Sequence, residues 1–163
     1  MPKIPTDEQL TFHYAVYSKI LQIPKGHVTS YGQISRLIHC PRNARQVGMS
    51  LKHMDYYVEF LRDTNGDQIF DLSLIPWWRV INSQGTISKR DTDQAVLRQV
   101  QRLTDEDVEV EKFDWTSRSR PPSSWTPYHV DFQRYGWFPE VEDEDEEEND
   151  HTQIKVEDTG ELD

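Results

Sequence analysis

A mostly α-helical domain of the winged helix-turn-helix kind, with one small β-hairpin and a disordered acidic C-terminal tail, is the fold class this sequence predicts. Three observations predict it. Two capping-box spacings, Thr6 to Gln9 and Ser30 to Gln33, each open a stretch of helical periodicity. A short helix, a brief turn and a basic helix then follow one another between residues 30 and 53. From Glu140 onward the chain is too acidic and too poor in apolar residues to bury a core.

The elements follow in order. Phe12, Val16, Ile20 and Ile23 recur at helical intervals and predict a first helix over about 7–22, which the turn Pro24-Lys25-Gly26 ends. The second box opens a short helix through Leu37 or Ile38. Pro41 punctuates before a third helix, roughly 42–53, with Ala44, Val47 and Leu51 on its apolar side and Arg42, Arg45, Met49 and Lys52 on the other. Val80-Ile81 and Thr86-Ile87 flank Asn82-Ser83-Gln84-Gly85, the pattern of a hairpin or wing. Asp91 to Gln94 has the spacing to cap a further helix, about 92–104, with Val96, Val100 and Leu103 inward. Residues 113–139 are irregular by pattern. Their aromatics (Trp115, Trp125, Tyr128, Phe132, Tyr135, Trp137 and Phe138) argue that the segment docks onto the body. One domain over 7–139 and a tail over 140–163 is the expected organisation, with no internal repeat.

The net charge of −11 hides two regions. Residues 140–163 hold 13 acids and one lysine, whereas residues 1–139 hold 17 Lys/Arg and 16 Asp/Glu. Between Gln9 and Met54 lie Lys19, Lys25, Arg36, Arg42, Arg45 and Lys52, and no acid. Such a one-signed segment attracts phosphate. Cys40 is the only cysteine, which excludes an internal disulfide and a thiolate-rich zinc site. The six histidines show no metal-ligand spacing and no cofactor motif appears, so no cofactor is expected. No apolar run is long enough to span a membrane, and Met1-Pro2-Lys3-Ile4-Pro5 lacks the apolar core of a secretory signal, so a soluble intracellular protein is expected.

The stretch richest in information is Ile75-Pro76-Trp77-Trp78-Arg79-Val80-Ile81-Asn82-Ser83. It resembles the active-site segment of O6-alkylguanine-DNA alkyltransferases, in which Pro-Cys-His-Arg-Val carries the alkyl-accepting cysteine. Trp77 stands at the cysteine's place and Trp78 at the histidine's. An indole is no thiolate and shuttles no proton near neutral pH. Two further stretches carry the resemblance, Ile23-Pro24-Lys25-Gly26-His27-Val28-Thr29-Ser30-Tyr31-Gly32-Gln33-Ile34 and Asn43-Ala44-Arg45-Gln46-Val47-Gly48. Thr86-Ile87-Ser88-Lys89-Arg90-Asp91 resembles the alkyltransferase-like branch, which binds alkylated DNA without repairing it. The match covers roughly residues 10–104. It departs from the branch at Trp78, where histidine is usual, and at an insertion over 55–74, where the family's asparagine hinge has no counterpart.

The resemblance implies roles. Arg45 matches an arginine finger that fills the gap left by a flipped base; taken alone it reads as a phosphate contact. Ala44 and Gly48 would let the third helix approach a minor groove, and the other reading of Gly48 is close packing against a neighbouring helix. Tyr31 matches a tyrosine that helps rotate the target nucleotide, and the bland reading is a core aromatic. Arg42 and Lys52 are further DNA contacts. Trp77 and Val80 would wall a lesion pocket, with the carbonyls of Trp77 and Val80 accepting from guanine. Trp78 reads equally as pocket lining or core. Arg90 faces either the alkylated base or phosphate. Arg79 ties the pocket strand to neighbouring carbonyls, and Glu106, which orients a histidine in relatives, has nothing to orient. Cys40, in the turn, is a rival nucleophile with inertness as its ordinary state. The implied function is a non-enzymatic, monomeric, nuclear sensor of O6-alkylguanine in duplex DNA that directs lesions to nucleotide excision repair. Its rivals are a sequence-specific helix-turn-helix regulator and an active transferase using Cys40. In the tail, Ile154-Lys155-Val156-Glu157 fits the pattern for SUMO attachment at Lys155.

Overall fold

A computed structural model describes residues 4–113 and 125–142. The tail from Asp143 on, Lys155 and Trp115 lie outside the described residues. Helix α1 (Asp7–Ile20) begins at a complete capping box: Thr6 Oγ1 accepts from Gln9 N–H at 3.2 Å, and Gln9 Oε1 accepts from Thr6 N–H at 3.0 Å. It ends two residues before the expected boundary, because the amides of Gln22 and Ile23 tighten onto the carbonyls of Lys19 and Ile20. Strand β1 (Thr29–Ser30) leads into α2 (Tyr31–Leu37), then α3 (Ala44–Lys52) and α4 (Met54–Val58). Ser30 caps α2 by accepting from Gln33 N–H, but the Gln33 side chain turns elsewhere, so this box is half made.

The predicted hairpin takes a different form. Asn82 to Gly85 does reverse the chain: Asn82 N–H donates to Thr86 O at 3.1 Å and Gly85 sits at φ +81°. The flanking strands then join different sheets. Strand β2 (Val80–Ile81) pairs parallel with β1, Thr29 opposite Val80 and Ser30 opposite Ile81. Strand β3 (Thr86–Ser88) pairs antiparallel with β5 (Trp125–His129), whose other edge holds β4 (Glu111–Lys112). Each strand thus finds its ladder partner outside the turn.

Helix α5 (Asp93–Asp105) is capped by Thr92, whose Oγ1 accepts from Ala95 N–H at 3.1 Å, rather than by Asp91. The 55–74 insertion contributes α4 and drives Phe70 into the core, edge-on to Tyr17. The segment after β5 docks as expected. Val28 N–H donates to Tyr135 O, Trp137 N–H donates to Val28 O, and α6 (Phe132–Tyr135) lies between.

Two buried clusters result. One gathers α1, α2, α3 and the insertion around Tyr17, Ile20, Ile34, Val47, Phe70 and Val80. The other gathers the strands and α5 around Val28, Trp78, Ile81, Ile87 and Leu103. Trp77 packs against both, at their junction. Among the described residues no helix is long and apolar enough to cross a membrane.

Candidate nucleic-acid interface

Helix α3 is held from behind and bare in front. Val47 and Ser50 are its buried residues. Ser50 Oγ meets His13 Nδ1 at 2.8 Å, and Ser50 O accepts from Tyr17 O–H at 2.8 Å. Burial lowers His13 to about 4, so the imidazole is neutral near pH 7 as it stacks on Tyr57. The α2–α3 turn is pinned by Ser35, whose buried hydroxyl donates to Cys40 O and accepts from Asn43 N–H. Cys40 is half-buried within that turn.

The outward side of α3 carries Arg45, Gln46, Met49 and Lys52, with Arg42 exposed just before it and Ala44 half-buried at its start. Among the described residues nothing hydrogen-bonds or pairs with Arg42 or Arg45. Gly48 faces Tyr31, but a Cβ there would come no nearer than 4.0 Å to the ring, an ordinary contact. Close packing inside the protein is therefore not what excludes a side chain at 48, which corrects that reading. Tyr31 itself is half-buried against the helical cluster.

The second group grows from the tight 3₁₀ turn Trp77–Arg79 that precedes β2. Trp77 is half-buried, edge-on to Trp78 at 5.9 Å, and the Arg90 guanidinium lies over its ring at 5.1 Å from the centroid. Sequence reasoning did not find what holds Arg90 there. Gln99, fully buried on α5, accepts from Arg90 Nη2 at 2.8 Å and Nε at 3.3 Å. Its Nε2 donates to Trp78 O at 3.1 Å and Val80 O at 3.2 Å. One side chain thus aligns the Trp-Trp turn, the following strand and the arginine.

Several expectations change here. Val80 is completely buried and belongs to the core, not to an exposed wall. Its carbonyl accepts from Gln99, and Trp77 O accepts from Val80 N–H, so each of these oxygens has one lone pair engaged within the protein. Trp78 is 8 % exposed and sits in the strand-side core, with Arg102 over its ring at 4.8 Å and Arg79 at 5.6 Å. Its core reading prevails. Its buried Nε1–H makes no hydrogen bond of normal geometry, yet it still helps stabilise the Glu106 carboxylate it faces.

Glu106 is not idle either. Arg79 grips it through Nε at 2.9 Å and Nη2 at 2.6 Å while Nη1 donates to Ile23 O at 2.7 Å. Burial alone would raise the Glu106 pKa; the bonds and charge of Arg79, with the facing Trp78 indole N–H and the Gly26 N–H, outweigh it and hold the carboxyl below its ordinary value. The two groups meet where Lys52 Nζ, at the end of α3, lies 3.9 Å from Asp91 Oδ1, beside Arg90. Both residues are over half exposed, so this contact marks proximity rather than strength. Tyr31, Gly48, Arg45, Lys52, Arg90 and Trp77 therefore belong to one connected region.

Residues 11–108 match the family described as the 6-O-methylguanine DNA methyltransferase DNA-binding domain. The chain belongs to the O6-alkylguanine-DNA alkyltransferase family. Within that family it is 36% identical over 128 residues to alkyltransferase-like protein 1 of Schizosaccharomyces pombe, covering 78% of this chain and 95% of the relative. It is 32% identical over 139 residues to the DNA base-flipping protein of Escherichia coli, covering 83% and 84%. A crystal structure of S. pombe Atl1 in complex with damaged DNA containing O6-carboxymethylguanine superposes with TM-score 0.58 at 34% identity, over 83% of this chain and all of that one. The helical DNA-binding domain of the alkyltransferase family is thus the frame on which Trp77 and Arg90 are displayed.

Proposed function

We propose that this protein is a non-enzymatic reader of O6-alkylguanine in duplex DNA. The observation that carries the proposal is the Arg90 guanidinium over the Trp77 ring, in the segment where the resemblance puts the acceptor cysteine. An aromatic face with a cation fixed beside it offers stacking worth about 1–3 kcal/mol to a flipped purine. A cation–π contact adds about 1 kcal/mol. Neither group forms a bond to the alkyl carbon, so the lesion stays intact and the complex persists. Because the arginine covers the indole, admitting a base requires Arg90 to swing aside or to slide onto the base itself.

In this reading α2 and α3 act as a helix-turn-helix whose α3 enters the minor groove, where Gly48 leaves room for a sugar-phosphate edge, the nearest described protein atoms to a Cβ there being the Tyr31 ring at 4.0 Å. Arg45, exposed and without a partner among the described residues, replaces the extruded nucleotide in the stack, offsetting part of an unstacking cost of a few kcal/mol. Tyr31 crowds the flanking phosphate. The relatives' names support the reading, since one is a base-flipping protein and another was solved on damaged DNA. Handover to nucleotide excision repair, a nuclear location and a monomeric state complete the proposal.

The test is competition for a labelled O6-methylguanine duplex by unlabelled lesion-bearing and matched undamaged duplexes. The lesion duplex should displace at a several-fold lower concentration. Equal displacement overturns the proposal, and a preference for one undamaged sequence favours a transcription regulator instead. Mass spectrometry of the incubated protein should show no alkyl adduct at Cys40.

A further inference from the structure

The α2–α3 face bears a basic stripe in which, among the described residues, Arg42 and Arg45 have no counter-charge and Lys52 has only the exposed Asp91 at 3.9 Å, and the chain's own most acidic stretch leaves the body beside it. Gln33, on α2 and 5% exposed, donates from Nε2 to Pro139 O at 2.9 Å, while its Oε1 accepts from Arg36 Nη2 at 2.7 Å. The point where the tail departs is thereby fixed to α2, the helix that packs on α3. Glu140 follows at once, and every residue from Glu142 to Glu148 is acidic. Helices in contact lie about 8–10 Å apart. The nine residues from Glu140 to Glu148 reach up to about 30 Å when extended. Length does not keep them from Arg42, Arg45 and Lys52.

We propose that the acidic segment 142–148 docks on the α2–α3 face and competes there with duplex phosphate. The inference rests on the reading that this face is the DNA-binding one. Two features select the tail as occupant over a separate acidic partner. It is tethered, so its effective concentration at the face is in the millimolar range. It also has the right sign and density, since seven consecutive carboxylates imitate a run of phosphates. The device imposes a threshold. Isolated phosphate contacts with undamaged DNA must displace the tail for little return, while a lesion held by Trp77 and Arg90 adds interactions the tail cannot imitate. Both duplexes lose the same factor in affinity, so undamaged duplex, bound more weakly, is the first to fall below occupancy.

The test keeps the full chain and replaces the seven acids with their amides (E142Q, D143N, E144Q, D145N, E146Q, E147Q, E148Q). Affinity for plain and lesion-bearing duplexes is measured across a salt series, and backbone amide shifts are recorded without DNA. The variant should bind both duplexes about fivefold more tightly near 50 mM salt, and the gap should close by about 300 mM, because the docked tail has already released counterions that DNA would otherwise release. The amides of Arg42, Arg45 and Met49 should shift between the two proteins, and in the parent they should move toward the variant's positions as salt rises. Equal affinities at low salt overturn the inference. So does tighter binding without any shift on α3, which is long-range repulsion rather than docking. Loss of lesion preference in both proteins would instead refute the function proposed above while leaving the salt and shift data on the tail intact.

Discussion

Replacing Gln99 with methionine tests whether one buried amide holds the site together. Methionine keeps the unbranched shape and removes the donor and the acceptor. Trp78 O and Val80 O then each lose a hydrogen bond from Nε2, in surroundings where Val80 has no exposed surface. At about 1 kcal/mol for each neutral bond, and more where a carbonyl is left unsatisfied, the direct loss is about 2–3 kcal/mol. Arg90 also loses its acceptor, worth about 1 kcal/mol after allowing for its partial exposure. The thioether recovers about a third of the total by burial, so a net destabilisation of about 2–3 kcal/mol is expected. Urea unfolding reads it as a fall in midpoint at unchanged slope. Arg90→Ala should cost under about 1 kcal/mol in stability yet weaken lesion binding, and a double-mutant cycle of the two should show coupling of about 1 kcal/mol. A Gln99→Met midpoint within about 0.5 kcal/mol of the parent, or additive single effects, refutes the claim that Gln99 positions Arg90.

Arg45→Ala should leave the urea midpoint unchanged, since no described residue bonds to Arg45, and should weaken lesion-duplex binding about tenfold, read by anisotropy titration. Arg79→Met strands a buried carboxylate, with side-chain exposures of 14% and 9% in the pair, and should destabilise by about 3 kcal/mol in the same unfolding assay. Because Glu106 is held below its ordinary 4.5, its contribution is complete above that value and disappears as pH falls toward the folded one; Glu106→Gln should remove this acid slope from a stability–pH profile. His13 acts in a higher window. Unfolded histidine takes its proton near 6.5 and folded His13 only near 4, so stability should fall between those values by up to about 3 kcal/mol, and His13→Phe should flatten that window.

Local chemistry made part of this molecule legible. Thr6 and Ser30 announced the helix starts, and the aromatic content of 113–139 announced the docking seen for its described residues 130–139. Pairings remote in sequence were not legible. Strands β1 and β2 have two residues each and lie some fifty residues apart, so no periodicity marks their ladder. Asp91 and Thr92 are both competent caps, and only the structure shows that Thr92 takes the Ala95 N–H. Trp77 and Trp78 are alike in composition, and the 3₁₀ turn alone decides that one is core and the other sits at a junction. Gln99 did leave a signal. It lies on the same inward stripe as Val96 and Leu103, and an amide in an apolar stripe of an amphipathic helix implies buried polar partners.

The departure at Trp78 follows from its surroundings. That side chain faces Glu106 and lies beneath the guanidinium groups of Arg79 and Arg102. A nucleophilic site needs a group there that passes a proton between a carboxylate and a thiol. With Trp77 where the resemblance puts the acceptor thiol, a titratable ring beneath two arginines would contribute only a neutral form that packs less of the core or a third cation in one cluster. An indole fills the core, presents its π-face to both cations and keeps its charge state at every physiological pH. Arg79 holds the carboxylate directly, forming a clamp between the Trp-Trp turn and residues Ile23 and Gly26. The clamp fixes the turn that carries Trp77, and the proposed recognition without chemistry requires such a fixed aromatic platform.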